Sequence, residues 1–156
     1  MRSMAATRRL IGAFAFLLAL AWAGQAHAQL GVGTTWLRTD AQGKGIILSV
    51  EACCNGGLRL IWQIPQMGGQ PAYTMTVDSP MNGTEVAALI GGKPSGETMA
   101  ITRADDHHHS TIVKMNGQPF GTSNSTVSAD NKTMTVDSAY GIGSQTQKST
   151  ETWVRK

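Results

Sequence analysis

Ile46-Ile47-Leu48-Ser49-Val50-Glu51-Ala52 leads through Cys53-Cys54-Asn55-Gly56-Gly57 into Leu58-Arg59-Leu60-Ile61-Trp62-Gln63-Ile64, and this stretch decides the fold. Positions 46, 48, 50 and 52 form one apolar face and the even positions 58 to 64 form another, a two-residue period that only an extended strand turns into a buried side. The connection is rich in residues that tolerate positive φ, as a tight turn demands. The unit predicted is an antiparallel hairpin.

The same alternation recurs outward from it. Tyr73, Met75 and Val77 interleave with Thr74, Thr76 and Asp78, and shorter runs follow at 85–90, 98–103 and 110–115. Asn116-Gly117 turns into 120–128, Ala129-Asp130-Asn131-Lys132 turns into 133–138, and 151–155 ends the chain, with one further strand expected near Trp36. Sixteen threonines between residues 29 and 156 suit a pleated surface, because β-branched side chains pack well there. Short strands joined by tight turns predict an all-β meander, and closure is what removes its two edges. The expected fold is a small up-and-down antiparallel barrel of about eight strands. A two-sheet sandwich would need longer crossing connections than most of those present. Three Trp, two Tyr and one Phe after residue 28 are too few for the two aromatic girdles of a membrane barrel.

Residues 1–28 read differently. Arg2, Arg8 and Arg9 precede an apolar run from residue 10 to 23, and Ala26-His27-Ala28 supplies a small-x-small cleavage site before Gln29. This is the pattern of a helical secretory signal peptide, cleaved after Ala28, ahead of a single domain at 29–156. Thr7-Arg8-Arg9-Leu10-Ile11 loosely fits a twin-arginine signal, so the export route stays open between the general and twin-arginine pathways. The expected location is the periplasm or the exterior. The first 28 residues hold three of the 13 basic residues and none of the ten acidic ones, leaving 29–156 with ten of each. A neutral domain has no electrostatic footprint for nucleic acid. Nor does 29–156 contain an apolar run of about 20 residues that would make a stable membrane anchor.

Two segments carry a resemblance. Lys114-Met115-Asn116-Gly117-Gln118-Pro119-Phe120-Gly121-Thr122-Ser123 and Val127-Ser128-Ala129-Asp130-Asn131-Lys132-Thr133-Met134-Thr135-Val136 are similar to the Lys-x-x-Gly-x-x-x-Gly-Thr-Ser and Val-Ser-Ala-Asp-Gly-Lys-Thr-Leu-Thr-Val patterns of lipocalin-like periplasmic proteins of bacteria, most of them uncharacterised. The start, Gly33-Thr34-Thr35-Trp36, is one residue wider than the Gly-x-Trp of true lipocalins, and Ser79-Pro80-Met81-Asn82-Gly83 stands where the family has an Asp-Gly-Lys turn. The resemblance implies a barrel and a small apolar ligand, and names no catalytic residue.

Candidate functional residues fall into three groups. Trp62, Tyr73, Met75, Met99, Met115 and Met134 lie on apolar strand faces, where adaptable Met side chains suit either a solid core or a ligand cavity. Thr, Ser or Ala at several inward positions leaves room for the cavity. Cys53 and Cys54 are adjacent, and in an oxidising compartment they form a vicinal disulfide, remain thiols or pair between molecules. Asp105, His107 and His109 could present two imidazoles and a carboxylate to a divalent cation, although a flexible turn binding metal adventitiously has the same composition. Asp40, Glu51, Asp78, Glu85, Glu97, Asp130, Asp137 and Glu151 read as isolated solvated acids, and Gly91-Gly92-Lys93-Pro94-Ser95-Gly96 as a loop without phosphate-binding context. The expected function is a non-catalytic exported lipocalin-like protein, with no cofactor and no identified partner protein, holding a small apolar ligand. The alternatives are a solid-core envelope protein acting through loops 65–72 and 79–84, or a metal or redox module using the His run and the Cys pair.

Overall fold

The structure is a computed structural model that describes residues 30–156. The signal-peptide reading of residues 1–28 therefore lies outside the described residues. β1 (Thr35–Arg38), β2 (Ile47–Cys53), β3 (Gly57–Ile64), β4 (Tyr73–Ser79) and β5 (Asn82–Ile90) form the first half. β6 (Lys93–Arg103), β7 (His108–Met115), β8 (Gln118–Val127), β9 (Thr133–Tyr140) and β10 (Gln147–Arg155) form the second. Each strand pairs antiparallel with its neighbours in the chain, and β10 returns to β1, so the sheet closes into an up-and-down barrel.

The barrel has ten strands, each overlapping one of the segments named above, where the expected count is about eight. Even the four-residue β1 is a full stave, because Leu37 is in register with both Val154 of β10 and Ile47 of β2. Segments read as loops also become strand. Only Pro80 and Met81 separate β4 from β5, so 79–84 is no long loop, and Lys93 to Gly96 opens β6. The turns follow local chemistry: Gly91-Gly92 and Asn116-Gly117 both have positive φ at both positions (56° and 79°, 50° and 78°), the conformation whose twist matches a two-residue hairpin.

Alternation sends one face of every strand inward. Trp36, Val50, Val77 and Val113 are at most 1% exposed and pack with Leu48, Leu58, Leu60, Val127, Met134 and Trp153 in one core. The outer face carries threonines and cross-strand ion pairs, such as Arg59 of β3 donating to both carboxylate oxygens of Asp78 on β4 (2.7 and 2.8 Å). Ladder lengths are uneven. β2 and β3 pair over seven residues, whereas β4 and β5 share only Met75↔Ile90 and Thr76↔Leu89, and β5 shifts register twice against β6.

Trp36 anchors the start of β1, fully buried, with its indole Nε1 donating to Thr34 Oγ1 at 3.0 Å. Trp36→Ala removes the largest buried side chain beside the closing ladder. The expected loss is about 3–5 kcal/mol in urea unfolding, with Trp36→Phe intermediate.

Candidate ligand cavity

The antiparallel order puts connections 39–46, 65–72, 91–92, 116–117 and 141–146 at one end of the barrel. The first described residues and connections 54–56, 80–81, 104–107 and 128–132 lie at the other. Between the ends lies a cavity of about 250 Å³. Its lining residues near the 65–72 end are open to solvent, with Tyr73 exposed and Ile64, Glu97 and Tyr140 half-buried. Leu30, His109, Met134 and Trp153 toward the other end are buried. The first end is the mouth and the second the floor.

The space has a cause in the sequence. Ser149, Ser138, Ser123 and Thr111 stand in register across β10, β9, β8 and β7, in the alternation of Glu151 and Trp153, and Ser123 and Thr111 line the cavity itself. Four small side chains in a row cannot fill the middle of a ten-stranded barrel, whose interior exceeds the roughly eight-strand size that side chains alone can fill. Opposite them stands an apolar wall of Leu48, Leu60, Trp62, Met75 and Met99. Gly121 contributes differently: it is in register with Tyr140, and a Cβ there would collide with the Tyr140 ring and the Ala139 carbonyl, so its bareness seats the tyrosine against the cavity.

Of the six apolar candidates from sequence, Trp62, Tyr73, Met75, Met99 and Met134 line the cavity, and Met115 does not. Charged and polar residues reach it as well. Arg38 donates from Nε and Nη2 to Asp40 (2.7 and 3.0 Å) and from Nη1 to Glu151 Oε1 (3.0 Å), while the Trp153 indole donates to Glu151 Oε2 (3.0 Å). Arg38 lies over Gly43, where a Cβ would overlap its guanidinium. The Arg38 hydrogen bonds, aided by the backbone N–H of Thr152 and Gly43, hold Asp40 down at about 2. Burial raises Glu151 in spite of Arg38, and burial alone raises Glu97. Tyr140 is pushed up by burial, against the hydroxyls of Ser123 and Ser138 that lower it, and a little further by Glu151 and Glu97.

Glu97 and Glu151, read from sequence as solvated acids, thus face inward. The signal was strand parity: Glu97 is two residues from Met99 and Glu151 two from Trp153, and alternate residues share a face. Arg38 stands in the same relation to Trp36.

The Asp105 to His109 segment is taken apart by the fold. His107 Nδ1 meets the Val127 carbonyl (2.9 Å), and although the His107 N–H donates to Asp105 (2.8 Å), the imidazole on that carboxylate is that of His108 (2.8 Å). His109, the second residue of β7, turns into the barrel. The proposed metal set of Asp105, His107 and His109 is not brought together, and among the described residues no three His, Cys, Asp or Glu side chains converge to hold a metal. Cys53 and Cys54 are joined by a disulfide at the tip of the β2–β3 hairpin, and neither lines the cavity. No protein-family profile, curated protein or solved structure matches this chain.

His109 is 3% exposed, and burial, then Arg103, lowers its pKa to about 4 from an ordinary 6.5. Its other charged neighbours, Asp105, Asp106 and His108, partly offset one another. An unfolded chain takes up a proton between pH 6.5 and 4 that the native His109 refuses, so stability falls on acidification through that window and levels off below it. Relative to His109→Phe, the wild type should lose up to about 3 kcal/mol between pH 7 and 4 in denaturation series. The Arg38 cluster gives a second test. Arg38→Ala leaves two mostly buried carboxylates unpaired and should cost about 3 kcal/mol at pH 7. Asp40 stabilisation is present above its ordinary 3.8 and is lost as pH falls toward 2, an acid limb that Asp40→Asn should remove.

Proposed function

We propose that residues 29–156 act outside the cytoplasm as a non-catalytic lipocalin-like barrel that binds a small, largely apolar ligand in its interior. The observation that carries this reading is the cavity itself, with an apolar wall of Trp62, Met75 and Leu60 against a row of small residues. At about 30 Å³ per water-sized group, 250 Å³ holds roughly eight non-hydrogen atoms. The fit is to a single ring or a short chain. Export is supported by the signal pattern of residues 1–28, and the lipocalin-like assignment by the two matching segments at 114–123 and 127–136. The small inward residues speak against the solid-core alternative.

Toluene, with seven carbons, is a suitable probe. Saturable binding is expected by calorimetry or by the fluorescence of Trp62 and Trp153, both of which line the cavity. Ser125→Phe places a ring in the same space and should weaken toluene at least tenfold while leaving the unfolding transition cooperative. Non-saturable uptake, or equal binding by this variant, would overturn the reading.

A further inference from the structure

His109 is a buried polar group on the cavity floor whose chemistry the apolar reading does not use. The residue is 97% buried by its 3% exposure, lines the cavity floor, and has no protein partner for either ring nitrogen. Buried polar atoms in folded proteins are almost always hydrogen-bonded, and leaving them unmade is costly. The neutral ring offers one donor and one acceptor. Ser125 is in register with it on β8, and Thr111 follows it on the same inward face of β7, so hydroxyls flank the imidazole.

The remaining charges restrict what could meet that ring. Arg38, the one cation lining the cavity among the described residues, has its donors on Asp40 and Glu151. Glu97 and Glu151 add negative charge in the half nearer the mouth. An anionic ligand would pass two carboxylates and find no free cation on the cavity lining, because Arg103, in register with His109 on β6, does not line the cavity.

Resting on the ligand-binding reading above, we propose that the ligand is a small apolar molecule bearing a hydroxyl, bound head-first with that hydroxyl on His109 and its hydrocarbon toward Trp62, Met75 and Tyr73. A hydroxyl both donates and accepts, so it matches whichever imidazole nitrogen faces it. Its affinity should exceed that of the same skeleton without the head group, because it supplies a partner that the floor lacks.

Four probes of one skeleton test this at pH 7.5: toluene, benzyl alcohol, benzylamine and benzoate, titrated by calorimetry into wild type, His109→Phe and Glu97→Gln. Benzyl alcohol should bind wild type about tenfold more tightly than toluene, and benzoate should bind most weakly. His109→Phe should erase the advantage of benzyl alcohol over toluene and raise the thermal midpoint of the unliganded protein, which a purely structural histidine would not do. An equal loss for toluene and benzyl alcohol, or a lowered midpoint, would overturn the assignment of His109. So would benzylamine as the tightest probe, lost in Glu97→Gln and kept in His109→Phe. If toluene binds and benzyl alcohol is no better, only this inference fails. If none of the four binds, the ligand-binding reading fails with it.

Discussion

Closing ten strands into one sheet imposes a circumference, and the circumference sets an interior that the chain must either fill or leave open. This sequence does both at different levels. At the floor, Trp36, Val50, Val77, Val127, Met134 and Trp153 meet and exclude solvent. Higher up, Ser123, Ser138, Ser149 and Thr111 replace bulk with short side chains. The hydrophobic contribution to stability is concentrated where the packing is dense. The remaining length of the barrel acts as a scaffold for a lined space, which packing alone would not select.

Closure also depends on an electrostatic fastening. β1 contributes only Thr35–Arg38, and its ladder to β10 runs from Trp36 to Arg38. Arg38 joins Asp40, just beyond β1, to Glu151 of β10, and Asp40 accepts from the Thr152 N–H at 3.2 Å. The cluster therefore ties the shortest stave to the last strand and forms part of the cavity wall at once. Removal of a carboxylate on either side would alter barrel closure and cavity electrostatics together.

The alternation at 46–52 and 58–64 was legible because a period of two has one structural meaning when turn residues bound it. Strand number was less legible: β1, expected near Trp36, carries little pattern of its own over four residues and becomes a stave only by pairing both with β2 and with β10, more than one hundred residues away. Asn82-Gly83 has turn composition and yet starts β5, because Pro80-Met81 already reverses the chain, with Met81 at φ 60° and its N–H held by Ser79 Oγ. Five of the six apolar candidates found from parity line the cavity. Glu97, Glu151 and Arg38 obey the same parity, but an isolated charge is read as solvated unless the rows beside it are known. The histidine run failed for a related reason: its three members enter a turn, a strand start and an interior, and only the tertiary register separates them.

The brief β4–β5 ladder gives the barrel an anisotropy. A closed sheet resists local opening most where many paired residues must part together, and the two residue pairs joining Met75 and Thr76 to Ile90 and Leu89 offer the least resistance. Backbone amides along this seam would lead in hydrogen exchange, ahead of those in the seven-residue β2–β3 ladder. Met75 belongs both to that seam and to the cavity wall. Breathing of the sheet and the residence time of anything inside it are thereby coupled through one flexible side chain.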